Sequence, residues 1–292
     1  MSMTGSALEV LATGPLALIQ DSGRPGLAAM GVGRSGAADR HAFRLGARLV
    51  AQDYLAAGIE ITFGGLEVRA RGDVMLALTG AFAQATVDGA EVAYLAPFVL
   101  ADGDTLRLAS PDAGLRTYLS VRGGVDVPPV LGSRSTDVLS GLGPAPLKAG
   151  DLLPVGPTPL GFPNIDVAPR WSLTSGPIVL RALLGPRADW LVDPRLLAQT
   201  AWTVSSRSDR VGIRLEGQAL ERHDSKRGQE LFSEGVVRGS LQVPPGGEPV
   251  LFLADHPVTG GYPVVAVVRD ADVDRAAQAV PGQSLRISLQ DG

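Results

Sequence analysis

Apolar positions along this chain fall in short runs separated by glycine, proline and polar turns, a pattern that predicts strands rather than helices. Runs at 16–19, 117–121, 250–253 and 264–268 read as strands. Segments 101–108, 148–154 and 281–287 share a cadence, a polar glycine turn followed by an alternating strand, as where a hairpin enters a sheet. Their recurrence predicts two related β units. The Pro/Gly-rich stretch 154–169 has almost no apolar periodicity and is the natural joint. The expected division is 1–158 and 159–292, with interleaving allowed at the boundary. Helical spacing is scarce. Ala38, Ala42, Leu45 and Leu49 predict a helix over about 38–51, with Asp39 placed to cap it. Two more are expected over about 186–192 and 270–278. The fold class is mainly β with a few short helices.

The densest polar insert is Asp255-His-Pro-Val-Thr-Gly-Gly-Tyr-Pro263, held between the runs at 250–253 and 264–268. Loops clamped between rigid strands often carry function. Gly260 and Gly261 are able to take φ > 0 there and let a ligand come close to the backbone. The plain alternative is a hairpin turn. Similar inserts recur: Gln20-Asp-Ser-Gly-Arg24, Ser35-Gly-Ala-Ala-Asp39, Tyr118-Leu-Ser-Val-Arg-Gly-Gly124 and Gly132-Ser-Arg-Ser-Thr136. Further on come Ser208-Asp-Arg-Val-Gly-Ile-Arg-Leu215, Ser233-Glu-Gly235 and Gln242-Val-Pro244.

In this order, and across nearly the whole chain, these motifs resemble the KipA family, also called allophanate-hydrolase-subunit-2-like. Its members include the C subunit of bacterial 5-oxoprolinase and the carboxyltransferase domain of urea carboxylase. The resemblance implies two cyclophilin-like β-barrel subdomains and a KipI-like (allophanate-hydrolase-subunit-1-like) partner, with a LamB/YcsF-like third subunit as an option. It implies a hydrolase subunit of ATP-dependent 5-oxoprolinase, which opens a small cyclic amide and works only in a complex. One alternative is a biotin-dependent carboxyltransferase acting on urea or a related amide. Another is a KipA-like regulatory protein that sequesters a kinase inhibitor. A free-standing chain of 292 residues favours the first reading.

Composition narrows the chemistry. With no cysteine there is no disulfide, thiolate nucleophile or cysteine metal site. A net charge of −4, few aromatics and no basic run argue against nucleic acid. No signal segment or long apolar span is visible, so a cytoplasmic protein with no membrane association is expected. The three histidines stand at no metal-ligand spacing, and no metal is expected. No phosphate-binding G-x-x-x-x-G-K-[ST] loop occurs. ATP is therefore expected to be bound by the complex, not necessarily by this chain. A biotin-carrier lysine is also missing, so biotin enters only under the carboxyltransferase reading.

What remains is arginines, carboxylates and hydroxyls beside glycines. Arg24, Arg122, Arg134, Arg210 and Arg214 suit bidentate capture of a carboxylate or phosphate. The competing role for each is an internal ion pair, and Arg214 alternates with apolar neighbours as a water-facing strand residue would. Asp21, Glu234 and Asp255 are the candidate catalytic acid–base groups, with Asp39 and Glu60 as further carboxylates. Asp21 could equally fix its turn. Substrate or anion contacts are expected from Gln20, Arg24, Arg122, Gly123, Gly124, Ser133, Arg134, Thr136, Arg210, Ser233, Gln242, Thr259, Gly260, Gly261 and Tyr262. A single site drawing on both halves of the chain is the expectation.

Overall fold

The computed structural model describes residues 5–169 and 176–290. They form two compact units. The first takes its residues from Met1–Arg24, Asp39–Asp137 and Gly141–Leu173, the second from Pro25–Ala38, Val138–Ser140 and Thr174–Gly292. The chain thus leaves the first unit at Arg24, rejoins it at Asp39, and leaves it again briefly at Val138–Ser140.

The first unit has two antiparallel sheets. One runs in the order β11 (Leu152–Pro154), β1 (Ala7–Thr13), β4 (Leu66–Arg71), β9 (Thr105–Leu108), β6 (Ala85–Val87), β7 (Ala90–Glu91). The other runs β2 (Leu16–Gln20), β3 (Gly58–Thr62), β10 (Arg116–Val121), β5 (Val74–Gly80), β8 (Pro97–Leu100). Inward residues alternate along β4 as Leu66, Val68 and Ala70, and they share one core with Ile59, Ile61, Leu76, Leu78 and Leu119 of the second sheet. Helix α1 (Arg40–Leu49) begins where predicted, and Asp39 caps it by accepting from the Ala42 N–H at 2.9 Å. The buried stripe of α1 packs Leu45 and Leu49 near Ala77 and Leu95.

The second unit is a closed seven-stranded barrel. Its order is β12 (Ile178–Leu184), β19 (Val264–Val268), β16 (Ser240–Gln242), β17 (Val250–Phe252), β14 (Gly212–Glu216), β13 (Trp202–Val204), β20 (Ser284–Leu289). A two-stranded ribbon, β15 (Glu234–Gly235) with β18 (Thr259–Gly260), stands apart from it. Trp202, Leu215, Leu241, Leu251 and Val265 fill the barrel. Helix α3 (Asp270–Ala276) matches its prediction, while a four-residue α2 (Leu196–Gln199) carried no sequence signal. The helix expected at 186–192 is only a single 3-10 turn, Ala188–Trp190. Leu191 turns extended and bridges to Arg222, which stops propagation.

The fold is mainly β with three α-helices among the described residues, as the patterning implied. The plain hairpin reading of the 255–263 loop does not hold. Strands β17 and β19 are not neighbours, because β16 lies between them and pairs with both.

Candidate functional site

In the first unit, the Gln20–Arg24 turn is built around Asp21. This buried carboxylate accepts from the Gly23 N–H (2.7 Å), the Arg134 N–H (2.6 Å), Ser133 Oγ (2.6 Å) and Ser135 Oγ (2.5 Å). Four donors engage both of its oxygens, so Asp21 welds the 20–24 turn to the 132–136 segment. Gln20 adds a hydrogen bond from Nε2 to the Thr136 carbonyl (2.8 Å), and Arg24 one from Nη2 to the Ser135 carbonyl (2.6 Å). Ser133 and Thr136 are buried in this weld, with Thr136 donating to the Pro144 carbonyl.

Two of the predicted anion binders in this unit have internal partners. Arg122 donates to the carbonyls of Val50, Pro159 and Gly161 and lies over the Phe162 ring. Arg134 pairs with Asp126 at 2.7 Å and donates to the Val127 carbonyl. Gly123 and Gly124 both have positive φ, at 97° and 73°. A Cβ on Gly123 would run into the Gly156 carbonyl oxygen. Both glycines therefore answer a backbone requirement.

Beneath α1 lies a buried polar group that the sequence did not single out as a unit. Tyr118 donates to Glu60 (2.8 Å) and accepts from the Asp39 N–H (2.8 Å), while Arg116 sits 3.4 Å from Glu60. Burial, then the adjacent Glu60 and Asp39 carboxylates, pushes the Tyr118 phenol well above its ordinary value. Tyr118 stays a donor at any physiological pH.

In the second unit, Asp255 forms a fully buried bidentate pair with Arg210, at 2.9 and 3.0 Å. It also accepts from Ser35 Oγ (2.6 Å) and the Val138 N–H (3.0 Å). Arg210 reaches on to the Gly36 carbonyl (2.7 Å), and Arg238 to the Ala38 carbonyl (2.8 Å). The Ser-Gly-Ala, Ser-Asp-Arg and Asp-x-x-x-Thr-Gly-Gly motifs thus meet in one clasp. Ser35 holds a strained φ of 54° within it. Arg214 faces water on β14, as its alternation implied.

The ribbon brings the remaining motifs together. Glu234 pairs across to Gly260, and Gly235 to Thr259. Gln242 donates to the Tyr262 carbonyl at 3.0 Å. Gly260 and Gly261 do not use positive φ. Gly260 instead lies against Gln242, whose Nε2 would have to shift to admit an added Cβ. Ser233, Thr259, Gly261 and Tyr262 are exposed. Glu234 is bound by Arg187, whose hydrogen bond holds the carboxyl below its usual range. Arg187 stood outside every motif, and no signal in the sequence marks it. His256 stacks on Phe252 at 5.9 Å, and His223 caps a 3-10 turn.

The model of a carboxyltransferase domain, subdomains A and B, matches residues 30–289. The chain belongs to this family. It is 37% identical to the 5-oxoprolinase C subunit of Escherichia coli (strain K12), over 95% of this chain and 89% of that protein. The solved structure of TTHA0988 is similar at TM-score 0.88 and 34% identity, over 98% of this chain and 56% of that one. The structure of K. lactis urea amidolyase gives TM-score 0.90 at 28% identity, over 100% of this chain and 19% of that one. The carboxyltransferase-family chain thus spans about half of TTHA0988 and about a fifth of the amidolyase. Among its described residues, no helix is long and apolar enough to cross a membrane.

The family motifs therefore sort into two roles. Asp21, Ser133, Asp255, Arg210 and the glycines at 123–124 fix the backbone. The exposed tip of the ribbon, with Glu234 and Arg187, carries hydroxyls, backbone groups and an ion pair at the surface.

Proposed function

We propose that this chain is the C-type subunit of an ATP-dependent 5-oxoprolinase. On this reading it opens a lactam together with a KipI-like partner and a LamB/YcsF-like third subunit, in the cytoplasm. The supporting observation is the match to the E. coli 5-oxoprolinase C subunit, which covers nearly all of both proteins. A lactam is resonance-stabilised, and its carbonyl oxygen must become a better leaving group before water can add. That role needs donors for the carbonyl, a cation for the substrate carboxylate and a base for water.

The residues of this chain do not suit a nucleotide. It has no phosphate loop, and the Arg122, Arg134 and Arg210 guanidiniums are occupied by carbonyls or carboxylates of the chain itself. We assign the nucleotide to another subunit. The groups left to meet substrate are Ser233, Thr259, Gly261 and Tyr262 of the second unit. Glu234, held ionised by Arg187, serves this reading better as a fixed charge than as a proton donor. Asp255, closed in its clasp, positions rather than reacts.

The test is reconstitution with the two candidate partners, following glutamate from 5-oxoproline with and without ATP. ATP-dependent glutamate that needs this chain supports the proposal, and the isolated chain should give none. The family model and the likeness to K. lactis urea amidolyase keep carboxyl transfer as the second reading. Carboxylation of urea from a carboxybiotin donor, without 5-oxoproline turnover, would establish that reading instead. Tight binding of the KipI-like protein without either turnover would favour regulation.

A further inference from the structure

The first unit carries a cavity of about 680 Å³ on the outer face of the sheet that contains β10, β5 and β8. Leu76 and Val121, paired across β5 and β10, enter the core, so their neighbours Met75 and Arg122 face the other way. The Arg122 N–H donates to the Met75 carbonyl at 2.8 Å and carries the ladder one residue further, and Val99 pairs with Met75 from the β8 side. Arg122, Met75 and Val99 thus form a row across the floor, and all three line the cavity. Asp73, two residues before Met75, lines it as well. It stands diagonal to Arg122, and such diagonal neighbours are about 7–8 Å apart. Neither charge has an ion-pair partner among the described residues. Arg122 is only 8% exposed, and three of its five N–H groups go to the neutral carbonyls of Val50, Pro159 and Gly161. Those bonds fix the guanidinium without compensating its charge. The two remaining N–H groups are too few for a triphosphate but suit a single carboxylate. The exposed Asp73 carboxylate accepts from the Asp102 N–H at 2.9 Å. Other strand acids of this unit are paired, Glu9 with Arg71 and Glu67 with Arg107, as is Asp126 on the cavity wall, with Arg134.

We infer that this cavity binds an aliphatic α-amino acid as its zwitterion. Arg122 receives the carboxylate, Asp73 the ammonium, and Met75 and Val99 the side chain. A plain anion would be repelled by Asp73 and a plain amine by Arg122, whereas a molecule carrying both charges answers both. The exposed apolar floor between them favours an aliphatic body over a further charge. The site lies in the first unit and involves no turnover, so its fate is separate from that of the 5-oxoprolinase reading.

The test is titration of the full chain with L-leucine, followed by backbone-amide NMR shifts, beside its desamino acid and its decarboxylated amine. Leucine should shift the amides of Asp73, Val74, Met75, Val99, Gly156 and Thr158. The amine should bind about tenfold or more weakly, the scale of hydrogen bonds lost from a buried charge. The desamino acid should bind about threefold more weakly, the scale of an exposed ion pair. Asp73→Asn, which keeps an acceptor for the Asp102 N–H, should bring leucine and the desamino acid to equal affinity. The comparison of ligands on the unsubstituted chain depends on no variant folding. Leucine shifts absent from these residues, or equal affinity for leucine and either analogue on the unsubstituted chain, overturns the inference. So does a preference for leucine over the desamino acid that survives in a folded Asp73→Asn.

Discussion

Asp255 illustrates what a carboxylate in a signature loop does once its neighbours are known. With Arg210, Ser35 and the Val138 N–H around it, Asp255→Asn leaves Arg210 buried without its counter-charge. The expected cost is about 3–5 kcal/mol of unfolding free energy, read from denaturant titration. Ser35→Ala, which removes one hydrogen bond to a charged group, should cost about 1.5–3 kcal/mol. A stability unchanged in Asp255→Asn would reopen a reactive role for it. Tyr118 gives a pH prediction. Its phenol titrates higher folded than unfolded, so its contribution is complete below the unfolded value of about 10 and is lost as pH climbs from there through the folded value. Of the four tyrosines, one should stay protonated well above pH 10 in an ultraviolet titration, and Tyr118→Phe should abolish that late step. The sequence marked Asp21, Asp255 and Arg210 as residues that matter. It could not say which donors the two carboxylates face, because Asp21 meets Ser133 across more than a hundred positions, and Asp255 meets Ser35 across more than two hundred.

At the scale of elements, the strands were readable because each carries its own apolar run. Their order was not. The runs at 250–253 and 264–268 look like two arms of a hairpin, but Ser240–Gln242, a run too short to stand out, inserts between them. The ribbon of Glu234–Gly235 with Thr259–Gly260 was equally hidden, since two-residue strands have no periodicity. Glycine requirements belong here too. Gly123→Ala places a side chain at φ 97° and against the Gly156 carbonyl. It should destabilise the first unit by about 1–3 kcal/mol from backbone strain alone, with the clash added. A melting temperature within a degree of the parent would show that the β10 turn relaxes freely.

At the scale of the whole molecule, the turn cadence and the Pro/Gly stretch led to an expected division at 158/159, while the contacts group the chain into two units that part between Leu173 and Thr174. The excursions of Pro25–Ala38 and Val138–Ser140 into the second unit had no local signature, being specified by side chains that lie far away in sequence. The carboxyltransferase family was legible for the opposite reason. Several of its motifs, those of Asp21, Arg210 and Asp255 among them, are backbone-fixing devices, and such devices tolerate few residue types. Participation of this chain in ATP-driven lactam opening is tested most directly with 5-oxoproline labelled with ¹⁸O at the ring carbonyl. The labelled lactam and ATP are supplied to the chain reconstituted with the proposed KipI-like and LamB/YcsF-like partners. Glutamate should form in step with ADP, with the label in inorganic phosphate, and none of this should occur when the chain is left out. Glutamate formed equally without this chain, or no glutamate from the full assembly, would contradict that role.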